Sequence, residues 1–96
     1  MTTYVMLMKM TAEGLKDVRH LAQRIKEGMH VREALGGRLL HFYTVMGEYD
    51  FAVVCQFPND RLMMSFLLKL GSQGHVITTT LKAFEEEEIE DIIRQM

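Results

Sequence analysis

The sequence contains few of the features that would assign it to a specialised class of protein. It has one cysteine, Cys55, among its 96 residues, which excludes an internal disulfide and is typical of a protein in a reducing compartment. Its 11 lysines and arginines are balanced by 13 aspartates and glutamates, so it lacks the basic stripe of a nucleic-acid-binding protein. We therefore expect no nucleic-acid partner.

Long hydrophobic runs are also absent. No segment approaches the run of about 20 apolar residues that a transmembrane helix requires. The N-terminal stretch MTTYVMLMKM is apolar, but it has neither a basic start nor a small-residue cleavage site, so it indicates a first strand rather than a signal peptide. These features predict a cytoplasmic protein without a membrane partner, and the chain length predicts one domain over residues 1–96.

The spacing of apolar residues predicts an alternation of strands and helices. Strands are predicted at residues 3–10, 38–46, 49–57 and 75–84. Helices are predicted from residue 15 to the Gly36-Gly37 pair, from Asn59 to Gly71, and from Glu85 to the C-terminus. The order is β-α-β-β-α-β with a C-terminal helix, which is typical of the ferredoxin-like α+β fold.

The first and last helices have recognisable apolar faces. In the first helix, apolar residues recur every third or fourth position, at Leu15, Val18, Ala22, Ile25 and Met29. In the last helix they lie at Ile89, Ile92, Ile93 and Met96. The four glutamates at residues 85–88 precede this face, and the dipole of a helix favours negative charge in its first turn. They indicate a helix start rather than a metal site.

Gly47 and Glu48 separate two strand-like segments and predict a tight hairpin. A glycine at the first central position suits a type II′ turn, because that position requires a positive φ. Such a turn places Met46 opposite Tyr49 and Val45 opposite Asp50. Continuing by twos, one face carries Met46, Thr44, Phe42, Leu40, Tyr49, Phe51, Val53 and Cys55. The other carries Val45, Tyr43, His41, Leu39, Asp50, Ala52, Val54 and Gln56.

The second of these faces is mixed in character and predicts an interface. Two helices can cover one side of a four-stranded sheet, and the drier first face is assigned to that core. The mixed face is too apolar to remain exposed to water, and an apolar patch of this kind usually marks an interaction surface. A second copy laid over it would bury the aliphatic residues. We therefore expect the protein to associate with itself.

The polar residues of the mixed face form the candidate ligand-binding cleft: His41, Tyr43, Asp50 and Gln56. A histidine beside a carboxylate could act as a general base, and a tyrosine could position a substrate. A hydrogen-bond network between subunits would look the same in the sequence, and it is the favoured interpretation. No catalytic residue is assigned. The four histidines lack HxH or HxxxH spacing, so neither a metal site nor a cofactor is predicted.

An ordered set of short motifs resembles the GYD domain family. The motifs, which extend over nearly the whole chain, are Thr3-Tyr4-Val5, Gly14, Leu35-Gly36-Gly37, Phe42-Tyr43, Met46-Gly47-Glu48-Tyr49-Asp50, Pro58-Asn59-Asp60, Leu70-Gly71-Ser72-Gln73-Gly74, Thr78-Thr79-Thr80-Leu81 and Ala83-Phe84. The resemblance implies the dimeric α/β-barrel type of the ferredoxin-like fold and a bacterial or archaeal setting. It implies no particular activity.

Three functions are compatible with these observations. The first is a homo-oligomeric domain that binds a small molecule or a protein partner in the cleft at the mixed face, which is the side of the sheet that the helices leave open. The second is a small cofactor-independent enzyme of the dimeric α/β-barrel type, acting on a compact organic substrate. The third is a pure assembly module. In all three, the expected partner is a second copy of the chain.

Overall fold

The computed structural model describes residues 1–96 and has the ferredoxin-like α+β fold that the sequence predicts. We number its strands β1 to β4 and its helices α1 to α4. In chain order the elements are β1 (Thr2–Met10), α1 (Ala12–Lys16), a 3₁₀ turn (Val18–His20), α2 (Leu21–Ala34), β2 (Arg38–Thr44), β3 (Phe51–Phe57), α3 (Asp60–Ser72), β4 (Val76–Ala83) and α4 (Glu86–Arg94).

The four strands form one antiparallel sheet in the order β2-β3-β1-β4. β1 and β3 lie at the centre and bury every second residue, because successive side chains of a strand point to opposite faces. α3 packs on the same face and adds Met63 and Phe66 to the core. The other members of the core are Tyr4, Met6, Met8, Phe51, Val53, Cys55 and Phe57.

The long first helix that the sequence predicts is interrupted. α1 begins where the Thr11 side chain accepts a hydrogen bond from the backbone N–H of Gly14 (3.1 Å), and it ends at Lys16. The 3₁₀ turn that follows changes the helical phase before α2 begins at Leu21. The predicted apolar stripe is therefore wrong: Leu15, Val18, Ala22 and Met29 are exposed.

The inward side of α2 is formed by a different set of residues. Leu21, Val31 and Leu35 pack against the core. Of the predicted stripe, only Ile25 is half-buried, and Arg32 is the one residue of α2 that is fully buried. This side of α2 therefore brings charged side chains toward the sheet, which an apolar stripe does not predict.

The prediction of a two-residue hairpin between β2 and β3 is also wrong. β2 ends at Thr44, and β3 begins at Phe51. The backbone N–H of Val45 donates to the carbonyl of Asp50 (2.8 Å), as the predicted register requires. The N–H of Asp50 donates to Met8 of β1 (2.8 Å), so the backbone of Asp50 bonds to Val45 on one side and to β1 on the other. Met46 is 99% exposed, and Gly47 has the positive φ that was predicted, at 119°.

Because of a β-bulge at Leu40, two leucines lie on the faces opposite to those predicted. His41, Phe42, Tyr43 and Thr44 pair with β3 in the predicted register, but the register then shifts between Leu39 and His41. A bulge inserts one extra residue, so side chains beyond it change face. Leu39 consequently pairs with Cys55 and packs against the core, whereas Leu40 is exposed.

The C-terminal helix begins where the sequence predicts it. α4 follows Glu85, whose backbone N–H donates to the side chain of Glu88 (3.1 Å), as in a capping box. The predicted apolar side is present but has no cover within the chain, because Ile89, Ile92, Ile93 and Met96 are all exposed. α4 therefore presents apolar surface to the outside.

Candidate functional site

The open face is the side of the sheet that no helix of the chain covers. Pairing across the strands places Val5 beside both Val54 and Leu81, and Leu7 beside Ala52. Val5, Leu7, Ala52 and Val54 are only half-buried, and Leu81 is exposed. These neighbours form a continuous aliphatic surface at the centre of the open face.

Three of the four predicted cleft residues lie on the open face. The rings of His41 and Tyr43 are stacked, with centroids 6.1 Å apart and an interplanar angle of 10°. The Gln56 side-chain amide donates to the Thr3 hydroxyl across the β1–β3 pair (3.1 Å). The stacked pair is exposed, whereas the Gln56–Thr3 pair is largely buried.

The fourth predicted residue, Asp50, is hydrogen-bonded to the backbone of β1. Its Oδ2 atom accepts a hydrogen bond from the backbone N–H of Met10 (2.7 Å), at the end of β1. The Asp50 N–H donates to Met8, so this aspartate holds two backbone positions of β1. No hydrogen bond joins Asp50 to His41 or Tyr43. The structure thus does not assemble a histidine–carboxylate pair for proton transfer.

A second polar network, which the sequence did not reveal, joins β1, α3 and β4. The Tyr4 hydroxyl donates to Asp60 Oδ1 (2.6 Å), and Lys82 Nζ donates to Asp60 Oδ2 (3.0 Å). The hydrogen bond from Tyr4, followed by that from Lys82, lowers the pKa of Asp60. Burial, together with the neighbouring Asp60 carboxylate, raises the pKa of Tyr4 to about 12. This network ties the start of α3 to the sheet.

The raised pKa of Tyr4 predicts that the protein loses stability at alkaline pH. The folded-state pKa of Tyr4, about 12, exceeds the ordinary value of 10.0, so the folded protein retains the proton that the unfolded chain releases. The contribution is complete below pH 10 and disappears as the pH rises to about 12. We expect the free energy of unfolding to fall by about 1–2 kcal/mol. This is less than a shift of about two pKa units corresponds to, because the exposed Asp60 partner is screened by solvent.

Urea denaturation at several pH values between 9 and 12 measures this loss. The Tyr4→Phe variant should lack it, whereas Tyr43→Phe, which removes an exposed phenol, should retain the wild-type pH profile. Parallel profiles for wild type and Tyr4→Phe would show that Tyr4 does not hold its proton in the folded state.

A small cavity lies on the other side of the sheet, between α2, α3 and the core strands. Its volume is about 60 Å³. Most of its wall is hydrophobic, but Arg24, Arg32, Gln73 and His75 also line it. The predicted cleft residues His41, Tyr43, Asp50 and Gln56 do not line it. Arginines on a helix are ordinarily exposed. The sequence could therefore have revealed this cavity only if it had shown which side of α2 faces the sheet.

The remaining observations concern Cys55, metal binding and the helices. Cys55 is fully buried, and burial raises the pKa of its thiol, as expected for an inert core cysteine. No group of three or more His, Cys, Asp or Glu side chains lies close enough together to hold a metal ion. None of the helices has the length and apolar character needed to cross a lipid bilayer.

Known proteins resemble nearly the whole chain in sequence and in fold. The sequence pattern of the GYD domain matches residues 4–93. The chain belongs to the GYD domain family. A relative in the same size range is the "Glutamine synthetase and cystathionine beta-lyase binding protein" of Thermus thermophilus, which is 32% identical over 84 residues, or 86% of this chain and 88% of the relative.

Solved structures similar to this GYD domain protein share its fold. The crystal structure of MtbAldR matches with a TM-score of 0.68 and 15% identity, over 88% of this chain and 52% of the other, so this chain spans about half of that protein. The crystal structure of FFRP-DM1 matches with a TM-score of 0.62 and 21% identity, over 88% of this chain and 100% of the other. At these identities the similarity concerns the fold.

In this GYD domain protein, residues 47–50 form a joint between the β2–β3 connection and β1. Gly47 supplies the positive φ, Glu48 is exposed, Tyr49 is half-buried, and Asp50 binds the end of β1. The predicted turn motif of Gly47, Glu48 and Tyr49 therefore shapes the connection. The contacts of Asp50 connect this segment to β1.

Proposed function

We propose that this GYD domain protein is a non-catalytic, homo-oligomeric binding domain, in which a second copy covers the open face and the assembly binds protein partners. The observation that carries the proposal is the aliphatic surface formed by Val5, Leu7, Ala52, Val54 and Leu81, which no helix of the chain covers. Removing apolar surface from water is favourable by roughly 25 cal/mol per Å². Packing two such faces together would remove apolar surface from water on both copies and so stabilise the pair.

The polar residues of the open face are compatible with burial. Gln56 and Thr3 already hydrogen-bond to each other, so covering them does not leave the Gln56 amide without a partner. The stacked His41 and Tyr43 rings offer a flat surface at the β2 edge. In this proposal, His41, Tyr43 and Gln56 lie at the interface between copies, and Asp50 supports the nearby end of β1.

Two observations favour binding over catalysis. Asp50, the carboxylate that could have activated His41, is engaged by the backbone of Met10. The Thermus thermophilus relative is named as a binding protein for two enzymes. We therefore propose that this protein also binds an enzyme, and that glutamine synthetase and cystathionine beta-lyase from the same cell are the first candidates.

The first test places a charge in the proposed interface. Val54→Asp would bury one carboxylate without a partner in each copy, at a cost of about 3 kcal/mol or more apiece. Two copies together lose about 6 kcal/mol, which weakens dimer formation roughly 10⁴-fold. Light scattering should give a mass at least twice the 11.1 kDa of one chain for wild type and for the isosteric control Val54→Thr. The folded Val54→Asp variant should have the mass of one chain.

A wild-type protein that remains monomeric at high micromolar concentration would contradict self-association. The protein-binding half of the proposal is tested separately, by biolayer interferometry with immobilised glutamine synthetase or cystathionine beta-lyase from the same organism. Saturable binding to either enzyme supports it. Binding to neither enzyme, by a protein that does self-associate, would leave an assembly module and overturn the choice of partner.

A further inference from the structure

The cavity between α2, α3 and the sheet is lined by basic side chains in which some buried nitrogen atoms have no hydrogen-bond partner. Arg32 is only 4% exposed, and its Nε atom is buried without a hydrogen-bond acceptor. The Nε and Nη1 atoms of Arg24 and the Nδ1 atom of His75 are also buried and unpartnered. All three residues line the cavity. Several nitrogen atoms are therefore available to a group inside it.

Arg32 forms no ion pair within 4.0 Å, although Cys55 and Glu33 lie close enough to favour its charged form. Its guanidinium carbon lies 4.9 Å from the centre of the Phe66 ring, a cation–π contact that supplies no hydrogen-bond acceptor. The nearby Cys55 thiol is held neutral, because burial raises its pKa. Arginine itself stays charged in proteins, and a buried charge without a partner costs several kcal/mol. An acceptor for the Nε atom of Arg32 would therefore come from outside the chain.

The charge around the cavity suits a monoanion. Arg24 has one carboxylate near it, with Asp17 Oδ2 at 3.9 Å from Nε, and its Nη2 atom reaches the carbonyls of Gly14 (3.3 Å) and Asp17 (3.5 Å). Arg32 forms no ion pair. Within 4.0 Å, two arginines therefore face one aspartate, which leaves a single positive charge, and Glu33 acts on Arg32 only from a greater distance. One carboxylate would balance it, and arginine binds carboxylates through paired hydrogen bonds.

The size and walls of the cavity limit the rest of the ligand. A volume of about 60 Å³ corresponds to about four to six water molecules, and hence to a similar number of non-hydrogen atoms. Met8, Phe42, Phe51 and Phe66 contribute an apolar wall. A second charged group on the ligand would face this wall without a partner, whereas a short alkyl chain would pack against it.

We propose that this cavity binds a short aliphatic monocarboxylate, whose carboxylate accepts hydrogen bonds from Arg24 and Arg32 and whose alkyl chain contacts Met8 and the phenylalanines. His75 is the third polar group within the site. The cavity and the open face lie on opposite sides of the sheet, so this site is independent of self-association.

The absence of a side chain at Gly28 keeps the cavity open. Gly28 lies on the cavity wall within α2, and a Cβ atom built there would meet nothing within 4 Å. A larger side chain at this position can therefore enter the cavity without displacing the backbone. Gly28→Leu fills the space and leaves both arginines in place.

The test is a titration of the full chain, labelled with ¹³C at the methionine methyl groups, followed by NMR. Butyrate should shift the signal of Met8, which lines the cavity, and should leave that of the exposed Met46 unchanged. The shift should saturate with a dissociation constant in the millimolar range or tighter. Butyramide, the neutral analogue of the same size, and inorganic phosphate should each bind at least about 10-fold more weakly, since both lack the combination of one negative charge and an alkyl chain.

Two variants separate the charge from the space. Arg32→Met removes the cation, and Gly28→Leu removes the volume, so each should weaken butyrate binding at least about 10-fold. Arg61→Met, which removes an exposed arginine of α3, is the matched control and should bind as wild type does. If Arg32→Met does not fold, Gly28→Leu and butyramide still decide the question.

Three results would overturn the proposal. The first is the absence of a saturable shift of Met8 with butyrate. The second is equal binding of butyrate and butyramide, or of butyrate and phosphate, which would show that the site does not select an aliphatic carboxylate. The third is binding to Gly28→Leu as strong as to wild type, which would place the ligand outside the cavity.

Discussion

Gly14→Ala is expected to lower the free energy of unfolding by about 3 kcal/mol, the upper end of the usual cost of overpacking. Gly14 is buried within α1. A Cβ atom built on it would overlap the carbonyl oxygen of His75 and lie 3.1 Å from the carbonyl carbon. Both atoms belong to the backbone, so no side-chain rotation can relieve the overlap, and α1 or the start of β4 must move.

Such a movement would also break the contacts that hold α1 in place. The backbone N–H of Thr11 donates to the same His75 carbonyl (3.0 Å), and the Thr11 hydroxyl donates to the carbonyl of Gly74 (2.6 Å). Urea denaturation followed by circular dichroism measures the effect. Gly71→Ala is the matched control, because a Cβ atom there meets nothing within 4 Å. Equal midpoints for Gly14→Ala and wild type would mean that α1 does not pack as described.

Phe57→Ala is expected to cost about 3–5 kcal/mol, the range for truncating a buried phenylalanine. The Phe57 side chain is fully buried at the end of β3. Its ring centroid lies 5.4 Å from that of Phe66 on α3 and 6.2 Å from that of Tyr4 on β1. Phe57 therefore joins the helix layer to both central strands, and its loss leaves a space that three elements would have to close.

The same denaturation experiment gives the size of this effect. Domains of this size have a free energy of unfolding of about 5–15 kcal/mol, so the loss is a large fraction of the total. Phe84→Ala makes the same chemical change at a side chain that is 54% exposed, and it should cost about 1 kcal/mol or less. Similar losses for the two variants would contradict the central position of Phe57.

The sequence was most informative where its pattern is regular and local. Residues 4–8 of β1 and 51–55 of β3 are apolar throughout, so both central strands could be predicted. The face of β3 that carries Phe51, Val53 and Cys55 was correctly assigned to the core. Leu39 and Leu40 are two adjacent residues of the same type, and nothing in them indicates which one the bulge turns outward. The register beyond His41 was therefore not predictable from the pattern.

The candidate site was harder to predict because it depends on contacts distant in sequence. Leu15 and Val18 continue a helical period through a segment where the helix is broken, so the pattern hides the change of phase that turns Arg24 and Arg32 inward. Asp50 has the composition of a turn residue, but its partner is the backbone of β1, 40 positions away. The periodicity of apolar residues reveals neither the change of helical phase nor a side-chain bond to a distant backbone.

The central position of β1 has a consequence for the order in which the chain can fold. β1 leaves the ribosome first, yet its two neighbours are β3 and β4, and Thr3 of β1 pairs with Ala83. Hydrogen bonding along one edge of β1 must therefore wait until most of the chain has been synthesised. Pairings this distant in sequence slow folding, and in the meantime an apolar strand with unpaired edges is exposed to aggregation. The newly made chain is consequently most exposed to aggregation just before β4 becomes available for pairing.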